Sequence, residues 1–274
     1  MMSVFEQIPA SRSAGEVAHQ IEALVLDGVL RAGEQLPPER DLAVETGVSR
    51  PIVREAIAML VEKGILQRRQ GDGTFVADII GEVFTPPIAA LLSHHPRATA
   101  DYLEYRLEVE GIVAGLAAER ATKYDRDLLT DCVARMRKAH EDADFHREAE
   151  IDVEFHSLIG EMAHNLVFLH TLRSCYRLLS QGIFENRTRL YETDGAREKL
   201  LGQHLAIAAA ILSGDRNAAV AAARNHIEFI LKTSESLERQ IERERISGLR
   251  LRRRESERYR VGPHETEAGK ESCK

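Results

Sequence analysis

The sequence predicts a mainly α-helical protein in two parts: an N-terminal winged helix-turn-helix of three helices and a β-hairpin wing, then an all-helical domain. Three observations predict it. Ala and Leu dominate the middle of the chain, aromatics make up 5% of the residues and Trp is absent, which favours packed helices over a β-sandwich. Apolar residues recur at helical spacing through most of the chain, from Val17 onward. Between residues 65 and 77 the pattern shortens to two strand-like runs around a Gly-containing turn. The 274 residues suffice for two cores of ordinary size, at roughly 100–150 residues per domain.

The first helix is predicted over Ala14 to Val29, with Val17, Ile21, Leu24 and Val25 as its apolar stripe and Gly28 and Gly33 bracketing its end. Leu36-Pro37-Pro38-Glu39-Arg40 opens a second, since proline is tolerated in a first turn whose N–H groups lack helical partners. Gly47 stops it. Ser49 is an N-cap for a third helix from Arg50 to Lys63, with Val53, Ala56, Ile57, Leu60 and Val61 facing inward. Ile65 to Arg69 and Thr74 to Ala77 are predicted as strands joined by the turn Gln70-Gly71-Asp72-Gly73. These elements bound a first domain at residues 1–78.

Residues 79–98 hold Pro86, Pro87 and Pro96 and are predicted as a linker with one short helix from Ile88 to Ser93. Helices are then predicted over 99–122, 125–140, 143–163, 165–190, 196–213 and 216–240. At Ser213-Gly214-Asp215, Gly214 can close one helix and Asp215 can cap the next. Residues 99–240 form the second domain, and 241–274 are predicted to be a basic, disordered tail. Nine Arg against four Glu between Arg239 and Arg260 suit a solvated helix end, with contact to DNA phosphates as the alternative.

No run of about 18 apolar residues is present to span a membrane, and the first residues lack a secretory pattern. Cys132, Cys175 and Cys273 are far apart and form no disulfide framework, which suits a reducing cytoplasm. Net charge is −7. Its distribution matters more than its sum: residues 50–69 carry Arg50, Arg54, Lys63, Arg68 and Arg69 against Glu55 and Glu62.

In a helix-turn-helix the start of the third helix enters the major groove. Ser49, Arg50 and Arg54 lie there, and Arg can donate two hydrogen bonds to guanine O6 and N7. Arg40, at the start of the second helix, is placed to meet phosphate or a base edge. Gln70 and Gly71 at the wing tip can approach the minor groove closely. Each arginine alone would read as a solvated surface residue; together their order and spacing fit a double-stranded DNA reader.

In the second domain Asp152 and His156 are spaced i, i+4 and share one helix face. His204 falls among Leu200, Leu201, Ala208 and Ile211, and His226 among Ala219, Ala222, Ala223 and Ile230. An Asp/His pair with two histidines on apolar stripes is a donor set for a divalent cation inside a helical bundle. The alternative is a hydrogen-bonded polar core.

The motifs Leu36-Pro37-Pro38-Glu39-Arg40-Asp41-Leu42-Ala43, Gly47-Val48-Ser49-Arg50, Arg54-Glu55-Ala56 and Gly71-Asp72-Gly73-Thr74-Phe75-Val76 resemble the GntR family of bacterial regulators, over residues 12–78. Residues 99–240 resemble the FCD effector domain of its FadR-type subfamily through Tyr105-Arg106-Leu107-Glu108-Val109-Glu110, Asp152-Val153-Glu154-Phe155-His156, Ala163-His164-Asn165 and the stretch from Gln203-His204 through Gly214-Asp215 to His226. The resemblance implies a bundle of six or seven helices and a homodimer reading a DNA palindrome through Arg40, Ser49, Arg50, Arg54, Gln70 and Gly71. It also implies a divalent metal, zinc first and nickel or manganese otherwise, on Asp152, His156, His204 and His226, and an effector carboxylate on Arg106. An open cation beside an arginine suits a 2-hydroxy or 2-oxo acid, and the chain is similar to pyruvate-, lactate- and glycolate-responsive regulators. The expectation is a metabolite-responsive transcription regulator, a repressor, and not an enzyme. The alternatives are a metal-dependent enzyme fused to a DNA-binding domain, or a regulator without metal. For Arg106 the alternative is a buried structural pair with Glu110 or Glu154.

Overall fold

The computed structural model describes residues 4–7, 13–79, 95–181 and 195–260. Helix α1 (Ala14–Leu26) begins at a capping box: Ser13 Oγ accepts from the Glu16 N–H, and the Glu16 carboxylate accepts from the Ser13 N–H. Helix α2 (Glu39–Thr46) starts behind Pro38 and ends at Gly47, whose φ of 72° is a left-handed cap that glycine adopts without strain. Helix α3 (Arg50–Glu62) has Ser49 at its N-cap and Pro51 in its first turn. Val17, Ile21, Leu42, Val53, Ile57, Leu60 and Leu66 form one buried core beneath the three helices.

Strands β1 (Leu66–Arg69) and β2 (Gly73–Val76) pair antiparallel, with Leu66 opposite Val76 and Arg69 opposite Gly73. The loop is therefore Gln70-Gly71-Asp72, one residue shorter than the sequence suggests. Residues ahead of α2 brace the wing: Gln35 bridges to Phe75, and its amide donates to Asp72 O.

The second part contains α4 (Pro96–Arg120), α5 (Lys123–Glu141), α6 (Phe145–Met162), α7 (Leu166–Gln181), α8 (Ala196–Ser213) and α9 (Arg216–Arg260). Among the described residues the fold is nine helices and one two-stranded sheet. Thr122 and Asp144 cap α5 and α6 with their side chains. Gly214 takes φ 75° and Asp215 accepts from the Ala218 N–H, the stop and start read at that junction. Phe155, Leu129, Ile151, Met162, Leu172, Ile207 and Ile211 make up the second core. α4 and α9 pack closely at Gly111 and Gly115. A Cβ on Gly115 would come within 2.7 Å of Val220 Cγ2, so only glycine allows this approach.

Two expectations change. The first helix of the second part begins at Pro96, inside the stretch read as linker, with His95 at its N-cap. The helix read as 216–240 runs on to Arg260, so residues 241–260 are not a disordered tail. The apolar stripe fades after Leu237, which is why the sequence signal stops there. Arg, Glu and Leu keep helical propensity without packing, and close pairs such as Arg245–Glu242 (2.7 Å) and Gln240–Glu244 (3.0 Å) add local support. Arg250, Arg252, Arg253 and Arg254 are exposed on this extension. The short helix read at Ile88–Ser93 and the sequence beyond Arg260 lie outside the described residues, Cys273 among them. Cys132 and Cys175 are buried free thiols. No described helix is long and apolar enough to cross a membrane.

Candidate nucleic-acid and metal sites

At the reader's outer edge Arg40, Ser49, Arg50 and Arg54 are all exposed, as are Gln70 and Gly71 at the wing tip. Ser49 and Arg50 begin α3, and Arg54 follows one turn later on its exposed face. Arg54 Nε and Nη2 donate to Glu39 Oε2 at 3.2 and 3.1 Å, and Arg40 Nε donates to Asp41 at 3.0 Å. These surface pairs orient the guanidiniums at little energetic cost to release. Gly71 has φ 78°, the left-handed conformation a tight wing tip needs. Arg69, at the tip end of β1, stacks over the Phe75 ring of the second strand at 4.1 Å.

In the second part α6, α8 and α9 bring Asp152, His156, His204 and His226 together, each at most 4% exposed. One ring nitrogen from each histidine lies within 4.8 Å of the other two. Asp152 Oδ1 is 3.1 Å from His204 Nε2, and Oδ2 is 3.9 Å from His156 Nε2. Glu110 Oε2 accepts from His156 Nδ1 at 3.0 Å, and Gln203 Oε1 accepts from His226 Nδ1 at 3.1 Å. Those acceptors place the proton of a neutral ring on Nδ1 and leave an Nε2 lone pair turned into the cluster, the arrangement by which outer residues orient metal-bound histidines. Buried His156 Nε2 makes no hydrogen bond, which is costly unless something else meets that atom. The residues therefore fit a divalent cation.

Arg106 is buried beside this cluster on α4, and its Nε donates to Glu110 Oε1 at 2.5 Å. The structural alternative raised for Arg106 is thus realised with Glu110, while Glu154 turns to Arg135. Burial pushes the Glu110 carboxyl up, but Arg106 and His156 more than reverse it and hold the carboxyl at about 2. Burial opposes the Arg106 charge, and Glu110 overcomes it, raising that group above its ordinary value. The Tyr102 and Tyr176 rings flank the guanidinium at 6.0 and 5.7 Å, and burial raises both phenols.

Cavities of about 20 and 10 Å³ adjoin the cluster, each close to the space of a single water. The larger is bounded by Glu148 and Arg197, whose guanidinium grips Glu148 at 2.9 and 3.1 Å and also reaches His140 O. Gln203, Glu148 and Arg197 had no role assigned from sequence. Gln203 precedes His204 and faces His226 across 23 residues, so only the fold pairs them.

Residues 13–76 match the family model described as bacterial regulatory proteins, gntR family, and residues 101–229 match the FCD domain. The chain is 37% identical over 226 residues to the "Putative L-lactate dehydrogenase operon regulatory protein" of Escherichia coli K12, covering 81% of this chain and 86% of that one. It is 34% identical to the Glc operon transcriptional activator of the same strain, over 81% and 89%. Among solved structures, Streptococcus agalactiae GntR superposes with a TM-score of 0.51 at 27% identity, over 80% of this chain and 99% of that one. These relatives are regulators rather than enzymes. With the gntR match at residues 13–76 followed by the FCD match at 101–229, the chain belongs to the GntR family of bacterial transcription regulators, in its FadR-type branch with an FCD effector domain.

Proposed function

We propose that the protein is a metal-dependent, carboxylate-responsive repressor that binds a palindromic operator as a homodimer. The observation that carries the sensor half is the buried histidine cluster with its oriented Nε2 atoms and adjoining Asp152. Asp152, His156, His204 and His226 hold a divalent ion, zinc before nickel or manganese. The bound ion supplies a Lewis-acidic partner for the oxygens of a 2-hydroxy or 2-oxo acid. Arg106 pairs with the acid's carboxylate. The names of the E. coli relatives, tied to a lactate dehydrogenase operon and the Glc operon, favour small acids of this class.

Cavities of about 10–20 Å³ do not admit such an acid. Its entry requires Arg106 to exchange Glu110 for the incoming carboxylate and the surrounding helices to shift. That requirement gives the ligand its differential affinity for two arrangements, without which no ligand can switch a protein. Zinc at a hundredfold excess over its Kd is expected to raise unfolding stability by about 2.7 kcal/mol; an unchanged thermal midpoint would contradict the metal.

At the other end Arg50 and Arg54 read base edges, Arg40 and Ser49 fix the position of α3 on the duplex, and Gln70 and Gly71 enter the minor groove. Arg50→Ala is expected to weaken operator binding by about 1–3 kcal/mol while leaving nonspecific binding nearly intact. Titration of operator and scrambled duplex at one salt concentration checks this. Equal affinity of wild type and variant for the operator removes Arg50 from base readout.

A further inference from the structure

One helix of the histidine site, α6, forms the contact between the two parts of the chain together with its neighbour α7. α6 bears Asp152 and His156 and then, on its next turns, Ser157 and Glu161. α7 bears His170, Arg173 and Tyr176. Glu161 Oε1 accepts from Arg173 Nη2 at 2.6 Å and from Arg31 Nη2 of the reader at 3.2 Å. Arg173 Nη2 also donates to Gly28 O at 3.3 Å, and His170 Nε2 donates to Leu26 O at 2.9 Å. The approach is close: a Cβ on Gly28 would lie 2.5 Å from Arg173 Nη1. Beside these bonds a cavity of about 290 Å³ separates the parts, lined by Arg31, Ala77, Ser157, Arg173 and Tyr176 among others. Tyr176 belongs to both places. It also borders the small void at Glu110 and His156, with its ring 5.7 Å from the His156 ring.

We propose that Glu161, clasped by Arg31 and Arg173, is a latch between reader and sensor whose closure depends on occupation of the histidine cluster. The inference rests on the metal reading above. A helix moves as a stiff unit, so a ligand that draws on His156 displaces Glu161 on the same helix. Hydrogen bonds weaken steeply with distance and angle, which makes such a latch close to two-state. The Arg31 side chain is 64% exposed and can leave Glu161 for water. The cavity leaves room for that movement, where a packed interface would resist it. Helix α6 is thus a physical element whose position both the cluster and the reader bias.

The test uses the full chain as wild type, Arg31→Gln and Glu161→Gln, with zinc alone as the probe. Competition with a chromogenic chelator measures uptake, and hydrogen exchange follows the amides of residues 24–33 with and without zinc. Zinc is expected to bind all three, the variants differing from wild type by no more than the factor by which zinc shifts the latch, since coupling is reciprocal, and to change exchange at 24–33 by about fivefold or more in wild type only, the lower end of ordinary coupling strengths. Bound zinc that leaves wild-type exchange unchanged, or changes it equally in the variants, overturns the latch while the metal reading stands. No zinc uptake by wild type overturns the metal reading and the latch with it. Arg31 is an exposed residue, so its variant keeps the test informative if Glu161→Gln folds poorly.

Discussion

His204→Ala is expected to lower zinc affinity by more than about a hundredfold, beyond the 10–100-fold that residues orienting a metal ligand are worth. His204 stands at the centre of the cluster, with its ring centroid 4.4 Å from that of His226 and its Nε2 3.1 Å from Asp152. Removing it takes away one donor and releases the Asp152 carboxylate from its nearest ring. Gln203→Ala, which strips the acceptor from His226 Nδ1, is expected to fall inside the 10–100-fold range. Chelator competition measures both. If the cluster is merely a polar core, His204→Ala loses stability, and wild type and variant show the same negligible zinc affinity.

Arg106→Ala is expected to cost about 3–5 kcal/mol of sensor-domain stability at neutral pH, because it strands the Glu110 charge in the core. The sign with pH follows from the carboxyl. In wild type it is depressed from 4.5 to about 2, so the pair's stabilisation is complete above 4.5 and is lost as pH falls toward 2. In the variant, burial is opposed by one charge fewer, the carboxyl titrates higher, and protonation relieves the strain. The gap between wild type and variant in urea unfolding therefore narrows on acidification. A gap that widens, or one below about 1 kcal/mol at pH 7, contradicts a buried charged pair.

Most of the fold was legible because its signals are local. Pro38, Ser49 and Gly214 mark helix ends by residue type alone, and the stripes of α1 and α3 report which face is buried. The helical extension to Arg260 was not legible, because it is held by propensity and side-chain pairs rather than by a stripe. The donor set at Asp152, His156, His204 and His226 was legible as polar residues on apolar faces. Its supports were less so. Glu110 was visible as an i, i+4 partner of Arg106, but its second bond, to His156, crosses between helices. The pairing of Gln203 with His226 and the clasp of Glu161 depend on which helices pack together, and nothing in local spacing specifies that.

The most direct measurement is operator affinity of the zinc-loaded protein with and without lactate, glycolate or pyruvate, repeated after chelation and with His204→Ala. At least one acid is expected to change the affinity of the zinc-loaded wild type by about fivefold or more, and to change neither the chelated protein nor the variant. A full response in chelated protein or in His204→Ala would contradict a sensor built on this cluster.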